Sequence, residues 1–247
     1  MLDEYIPYVG GVPIQIQEVP ATVLGNEWES YKAERWECLC RERGITENAT
    51  LLRVEEAQDS CVLVSPSITY RDIVGLRYGN TLPAVTYHAL SALAVIQTAD
   101  DHYVLQIRDS GDWPRSYELS GGFVRAQSVQ LGAVSTVDDF IAERVSAELA
   151  LLSLHSWQCC GAIRYSSILE YMYIYQVRTQ ETAAEVQALL GEQVIAVAPS
   201  DIEEVVAEQI PLSLPLHPPS QIVLRHLLAT RKSSETSQIK TPQPAAV

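Results

Sequence analysis

Acidic, basic and glycine residues meet in two stretches of this chain, Glu118-Leu-Ser-Gly-Gly-Phe-Val124 and Asp139-Phe-Ile-Ala-Glu-Arg-Val-Ser-Ala-Glu-Leu-Ala-Leu151. The first reads as a short strand entering the double glycine Gly121-Gly122. The second reads as a helix. Ser135 or Thr136 is its N-cap, and Asp139 follows Thr136 at the spacing of a capping box. At about 100° per residue, Val137, Ile141, Val145 and Leu152 share one face, with Glu148 near its centre. Burying a lone carboxylate is costly unless it is paired or binds a metal. Two explanations are open for Glu148. It pairs with Arg144 one turn earlier or sits at the domain edge, or it ligates a metal. Carboxylates three and four residues apart lie on one helical face and can share a divalent cation. Asp138, Asp139 and Glu143 are the other acids of this helix, at angles that diverge from Glu148.

A second group of residues is suited to phosphate. Arg71, Arg77, Arg108, Arg115 and Arg125 lie near the glycine turn or the segment before it, and a guanidinium fork binds two phosphate oxygens at once. Ser67-Ile-Thr-Tyr-Arg-Asp-Ile-Val-Gly75 comes first. The apolar strand Ala89–Gln97, the turn Thr98-Ala-Asp-Asp101, the strand His102–Arg108 and then Gly121-Gly122 follow it. No nucleophile elbow, P-loop or dinucleotide fingerprint is present.

Taken together, these segments resemble a Nudix hydrolase, with the layout of the UDP-sugar pyrophosphatase type over residues 28–230. Aligned on that family's box, Gly122 stands at the opening glycine and Glu148 at the last of the paired glutamates. The chain departs from the box at several positions. Arg144 occupies a glutamate position, Ala147 the first paired glutamate, Glu143 the arginine, Ala150 the late glycine and Ser128 the early glutamate. The intervening loop is also longer than usual. The resemblance implies a Nudix-type α/β/α sandwich with a mixed sheet. It implies Mg²⁺-dependent, or Mn²⁺-dependent, cleavage of UDP-glucose or a similar nucleotide-sugar to UMP and a sugar 1-phosphate. Glu148 and Glu143 are then the catalytic candidates. Glu148, Glu143, Asp139 and Glu170, on the strand Ile168–Val177, are the candidate metal ligands. Tyr70, Arg71, Asp72, Arg108, Gly121 and Gly122 are the candidate substrate contacts, with Tyr70, Trp113 and Tyr117 able to stack on a base. A second outcome of the same resemblance is a domain that kept the fold and lost the chemistry, and binds a nucleotide or a protein.

The remaining sequence bounds these alternatives. The chain has 247 residues, 47% of them hydrophobic, enough for one sizeable core. Expected organisation is an extension over 1–80 packed on the core, a domain over 81–230 and a disordered tail over 231–247. A formal net charge of −14 argues against nucleic acid as a partner, although a local basic pocket remains compatible with a small nucleotide. No apolar run is long enough for a membrane span, and the start lacks the pattern of a secretory signal. The five cysteines have neither disulfide-framework nor zinc spacing, which suits a reducing cytoplasm. Self-association into a homodimer is left open.

Elsewhere, Val12–Val19 reads as a strand and Asn26–Arg43 as a helix carrying Trp28, Tyr31 and Trp36. Hairpins are expected over Ala49–Ser65 and Trp157–Val177. Ala183–Leu190 is helical, Val194–Val197 a strand, and Ser200 to Glu203 a capping box. After the prolines from Pro211 to Pro219, Ser220–Thr230 is the final helix.

Overall fold

The run His88–Gln97 is apolar on both of its faces, and such a strand is stable only where both faces are covered. In the computed structural model it lies at the centre of one mixed sheet. The structure describes residues 4–8, 12–22, 29–45, 47–78, 87–130 and 132–239, with side chains outside that description at 29–35 and 231–239. Trp28, the side chain of Tyr31 and the last eight residues of the expected tail therefore lie outside the described residues.

In chain order the elements are β1 (Glu4–Pro7), β2 (Gln15–Glu18), α1 (Glu29–Arg43), β3 (Thr50–Gln58), β4 (Cys61–Thr69), α2 (Tyr70–Arg77), β5 (His88–Gln97), β6 (Tyr103–Arg108), β7 (Ser116–Glu118), β8 (Ser120–Phe123), α3 (Ala126–Gln130), α4 (Val137–Glu148), β9 (Leu154–Tyr165), β10 (Glu170–Thr179), α5 (Ala183–Leu190), β11 (Val194–Val197), α6 (Ile202–Val206) and α7 (Pro218–Ile239). The main strand order is β1-β9-β10-β5-β3-β4-β2. One edge of β5 pairs in parallel with β10, from Ala89 opposite Glu170 to Gln97 opposite Arg178. Three antiparallel strands share its other edge: β3 at its start, β8 at Ser91–Ala94 and β6 at its end.

Side chains of β5 alternate between two cores, as a strand's period of two requires. Leu90, Ala92, Ala94 and Ile96 pack with Val137, Phe140, Ile141 and Val145 of α4. Leu93 and Val95 pack on the other side with Ile202 and Val205 of α6 and Val223, Leu224 and Leu227 of α7. Helices thus cover both faces of a mixed sheet, the α/β/α arrangement expected. Residues before 80 pair into this same sheet through β1, β2, β3 and β4.

Local expectations fare unevenly. Thr136 and Asp139 do form the capping box of α4, with the Thr136 N–H donating to Asp139 at 3.1 Å and the Asp139 N–H to Thr136 at 2.9 Å. The Ser200 box does not form: Asp201 is the N-cap of α6 without a side-chain bond, and the Ser200 hydroxyl is turned to Asp201 at 2.7 Å. The final helix runs on to Ile239, nine residues beyond its expected end at Thr230, so the start of the expected tail is helical. Among the described residues no helix is long and apolar enough to cross a membrane.

Gly121 marks the closest approach in the sheet. Its φ is +121°, and a Cβ there would overlap the Ala92 carbonyl oxygen and reach 2.9 Å from Ile141 Cδ1. Only glycine lets β8 pass between β5 and α4. Gly121→Ala should therefore lower unfolding stability by roughly 2–5 kcal/mol, the sum of backbone strain and overpacking. An unchanged urea midpoint would contradict this packing.

Candidate functional site

Segments from β3 to the loop before α7 converge on one cavity. The antiparallel register of β6 and β7 sets Gln106 opposite Glu118 and Arg108 opposite Ser116, which puts Arg108 and Glu118 on one face as diagonal neighbours. The Arg108 Nη1 donates to Glu118 at 2.6 Å. Burial raises the Glu118 carboxyl above its usual range; Arg108 opposes that shift and the charge of Glu148 adds to it.

Helix α2 supplies Arg77 from its last turn. A capping box sets the start of this helix, with Asp72 accepting from the Thr69 N–H at 2.7 Å. The buried Arg77 guanidinium donates to Asp112 at 2.6 Å, to the Ile168 carbonyl at 2.7 Å and to Glu170. It lies 4.8 Å from the centre of the Trp113 ring. The Ser91 hydroxyl completes Glu170 at 2.8 Å, and the Tyr70 hydroxyl donates to Asp112 at 3.0 Å. Burial pushes the Glu170 carboxyl up, with the Arg77 charge opposing it.

The cavity between these elements has a volume of about 400 Å³. Arg77, Arg108, Arg125, Arg144, Glu118, Glu170 and His217 line it, together with Tyr70, Phe123, Leu51, Ile107, Gly121 and Gly122. His217 is buried against the Trp113 ring at 5.2 Å, and burial beside Arg108 and Arg77 holds its imidazole neutral, well below pH 6.5.

The expected site residues separate into two groups. Tyr70, Arg108, Gly121, Gly122 and Glu170 line the cavity; Arg71, Asp72, Asp139, Glu143 and Glu148 do not. Asp72 is committed to capping α2. The Arg71 N–H donates to the Asn48 side chain at 2.8 Å. Asp139 is held by Thr136 and Ser135, whose hydrogen bonds keep its carboxyl below the usual range. Glu143 is exposed. Glu148 takes the pairing explanation: Arg144 Nε meets it at 2.5 Å, while its other oxygen accepts from the Gly121 N–H at 3.2 Å and Gln106 at 3.3 Å. Of the two, Arg144 faces the cavity. The four expected metal ligands are therefore not brought together, and among the described residues no group of three acids, histidines or cysteines is placed to hold a cation.

Asp112, Glu118, Phe123 and His217 are not singled out by the sequence, although Glu118 has one local signal, its place directly before Leu-Ser-Gly-Gly. Arg77, a phosphate candidate by sequence, is instead buried against Asp112 and Glu170, partners too distant in the chain for any local pattern to report.

No protein-family model matches this chain, and no curated protein matches it. Among solved structures it is similar to Tm1382, provisionally described as a Nudix hydrolase, at 15% identity and a TM-score of 0.40, covering 78% of this chain and 95% of that one. DR0079 from Deinococcus radiodurans gives 14% identity and a TM-score of 0.41, over 72% and 98% of the two chains. NrtR of Shewanella oneidensis, in complex with a 27mer DNA, gives 14% and 0.39, over 58% of this chain and 61% of that one. Likeness at this distance carries no assignment of function.

Two predictions follow from the buried charges. Arg77→Met strands Asp112 and Glu170 and should cost about 3–5 kcal/mol of unfolding stability, which urea denaturation measures; a loss below ~1 kcal/mol would show that the network is not intact in solution. The second concerns pH. Burial lowers His217 far below 6.5, and burial with Arg164 nearby lowers His88 to about 4. The unfolded chain takes up these protons near pH 6.5 and the folded chain does not, so this stability is complete above that pH and declines as pH falls through it. His217→Gln should show a shallower decline between about pH 7.5 and pH 5 than wild type, and parallel curves would exclude the neutral buried imidazole.

Proposed function

We propose that this chain is a Nudix-type domain whose cavity binds a nucleoside diphosphate or nucleotide-sugar without a divalent cation and without hydrolysing it. The observation that carries this reading is Arg144, which faces the cavity from the position where the family's box has a glutamate. A guanidinium neither ligates metal nor serves as a base at neutral pH, yet it is an effective donor to phosphate. The supporting geometry is a lining that joins arginines to the aromatic rings of Tyr70 and Phe123, which meet edge to face, and a nucleotide presents a partner for each chemistry.

The donor set was tested against Mg²⁺, which needs several oxygen ligands in one place. Glu148 is spent on Arg144, Gly121 and Gln106. Glu170 is spent on Arg77 and Ser91, Glu118 on Arg108, and Asp139 on the cap of α4. This set does not fit the cation.

A hydrolytic reading, with UDP-glucose cleaved to UMP and a sugar 1-phosphate, keeps one supporting observation. Glu148 holds the last glutamate position of the box and bonds the Gly121 N–H beside the cavity. Titration calorimetry with UDP-glucose, in EDTA and again in Mg²⁺, followed by assay of the same cells for UMP, separates the two. The expected result is equal affinity in both buffers and no UMP. Binding that needs Mg²⁺, with UMP formed, would establish the hydrolase instead. Silence in both buffers would remove the nucleotide reading.

A further inference from the structure

We infer that the ligand's phosphates are held by Arg125 and Arg144, which exchange their carboxylate partners for phosphate, while Arg77 and Arg108 only shape the wall. This rests on the reading of the cavity as a diphosphate site and names the groups that carry it. All four arginines line the cavity, and each is already ion-paired. What separates them is the exposure of the guanidinium and the fate of the partner when the arginine turns to a ligand.

Arg77 has a side chain 3% exposed, against Asp112 at 2% and Glu170 at 6%. Drawing its guanidinium to a phosphate strands two carboxylates in the interior, where an uncompensated charge is strongly unfavourable. Arg108 is constrained similarly. Its partner Glu118 is only 25% exposed, its second nitrogen sits 3.8 Å from Asp112, and its guanidinium lies against Gly111, where even a Cβ would collide with it.

The guanidinium groups of the other two pairs are open to water. Arg125 and Glu47 are 51% and 67% exposed at a separation of 2.8 Å, so Glu47 returns to solvent when released. Exposed pairs of this kind contribute little and exchange readily. Arg144 is 49% exposed. Its partner Glu148, at 21%, is no more open than Glu118, and the Gly121 N–H and the Gln106 amide hold only its other oxygen, so what separates Arg144 from Arg108 is the exposure of the guanidinium itself, 49% against 24%. A phosphate offers each guanidinium a bidentate, doubly hydrogen-bonded partner in place of a single carboxylate contact.

The two arginines come from different parts of the chain. Arg125 follows β8 and bridges to Leu51 of β3, and Arg144 projects from the last turns of α4. A ligand with two linked phosphates can engage both, whereas orthophosphate engages one. The site should therefore prefer pyrophosphate to orthophosphate in the absence of metal.

The test uses the full chain in EDTA, titrated calorimetrically with inorganic pyrophosphate, orthophosphate and UDP-glucose. Arg125→Gln and Arg144→Gln should each weaken pyrophosphate binding about tenfold or more, and the thermal midpoint of Arg125→Gln should stay near wild type because both members of its pair are exposed. Arg144→Lys should recover only part of the loss, since an ammonium cannot form the fork. Glu148→Gln and Glu47→Gln should tighten binding, because each removes an internal competitor for its arginine. Repeated in Mg²⁺, the same Glu148→Gln variant would bind more weakly if Glu148 were a metal ligand. If wild type binds pyrophosphate and both glutamine variants bind it equally well, or if Glu148→Gln weakens binding, the assignment to Arg125 and Arg144 falls while the cavity reading stands. If wild type binds neither pyrophosphate nor UDP-glucose, with or without Mg²⁺, both fall together.

Discussion

The guanidinium of Arg77 is the constraint on which the site depends. It joins three pieces of chain that have no local reason to meet: helix α2, the loop that carries Asp112 and the start of strand β10 at Glu170. Ion pairs of this burial add little net stability over a well-packed apolar substitute, since desolvation offsets most of the Coulomb gain. Their effect is on uniqueness. Once Arg77 is buried, Asp112 and Glu170 must both be within reach of it, and that requirement closes one wall of the cavity. The Arg43 guanidinium extends the wall outward, donating to the Tyr78 hydroxyl at 2.6 Å and to the Asp112 carbonyl, so α1 also abuts the site.

A rigid wall and an exchangeable rim follow from the same principle applied at two depths. Charges beneath the surface hold fixed partners because separation is expensive there. Charges at the surface hold partners that water or a ligand can replace. Glu118 lies between these limits, half-buried, bonded to Arg108 and raised by burial. The cavity therefore presents few new choices to a ligand, since two of its four arginines, Arg77 and Arg108, are already committed to the fold.

This division explains how much was legible in the sequence. Features set by neighbours within one turn or one strand could be read: the apolar run of β5, the Thr136–Asp139 cap and, as one of two alternatives, the Arg144–Glu148 pair. Glu148 looked central on the apolar face of α4, yet the helix ends at that residue, and its carboxylate reaches the Gly121 N–H and Gln106. Features set by distant partners could not be read. Arg77 meets Glu170 across 93 positions and Asp112 across 35, and neither periodicity nor spacing reports such a meeting. The absent Ser200 cap is the converse case, a correct local pattern whose hydroxyl found a nearer acceptor in Asp201.

The charge of the whole chain and the charge of the site act over different distances. A net charge of −14 repels an anion from afar. At physiological ionic strength that field is screened beyond about 8 Å, so the long-range penalty falls on the rate of approach more than on the bound complex. Within the cavity, the groups in contact decide. Arg144 sets a positive charge, 49% exposed, in the lining of the cavity. A carboxylate there needs a cation before phosphate can approach; a guanidinium is itself the cation. Contact chemistry at Arg144 is thus set by the guanidinium and its neighbours rather than by the charge of the whole chain.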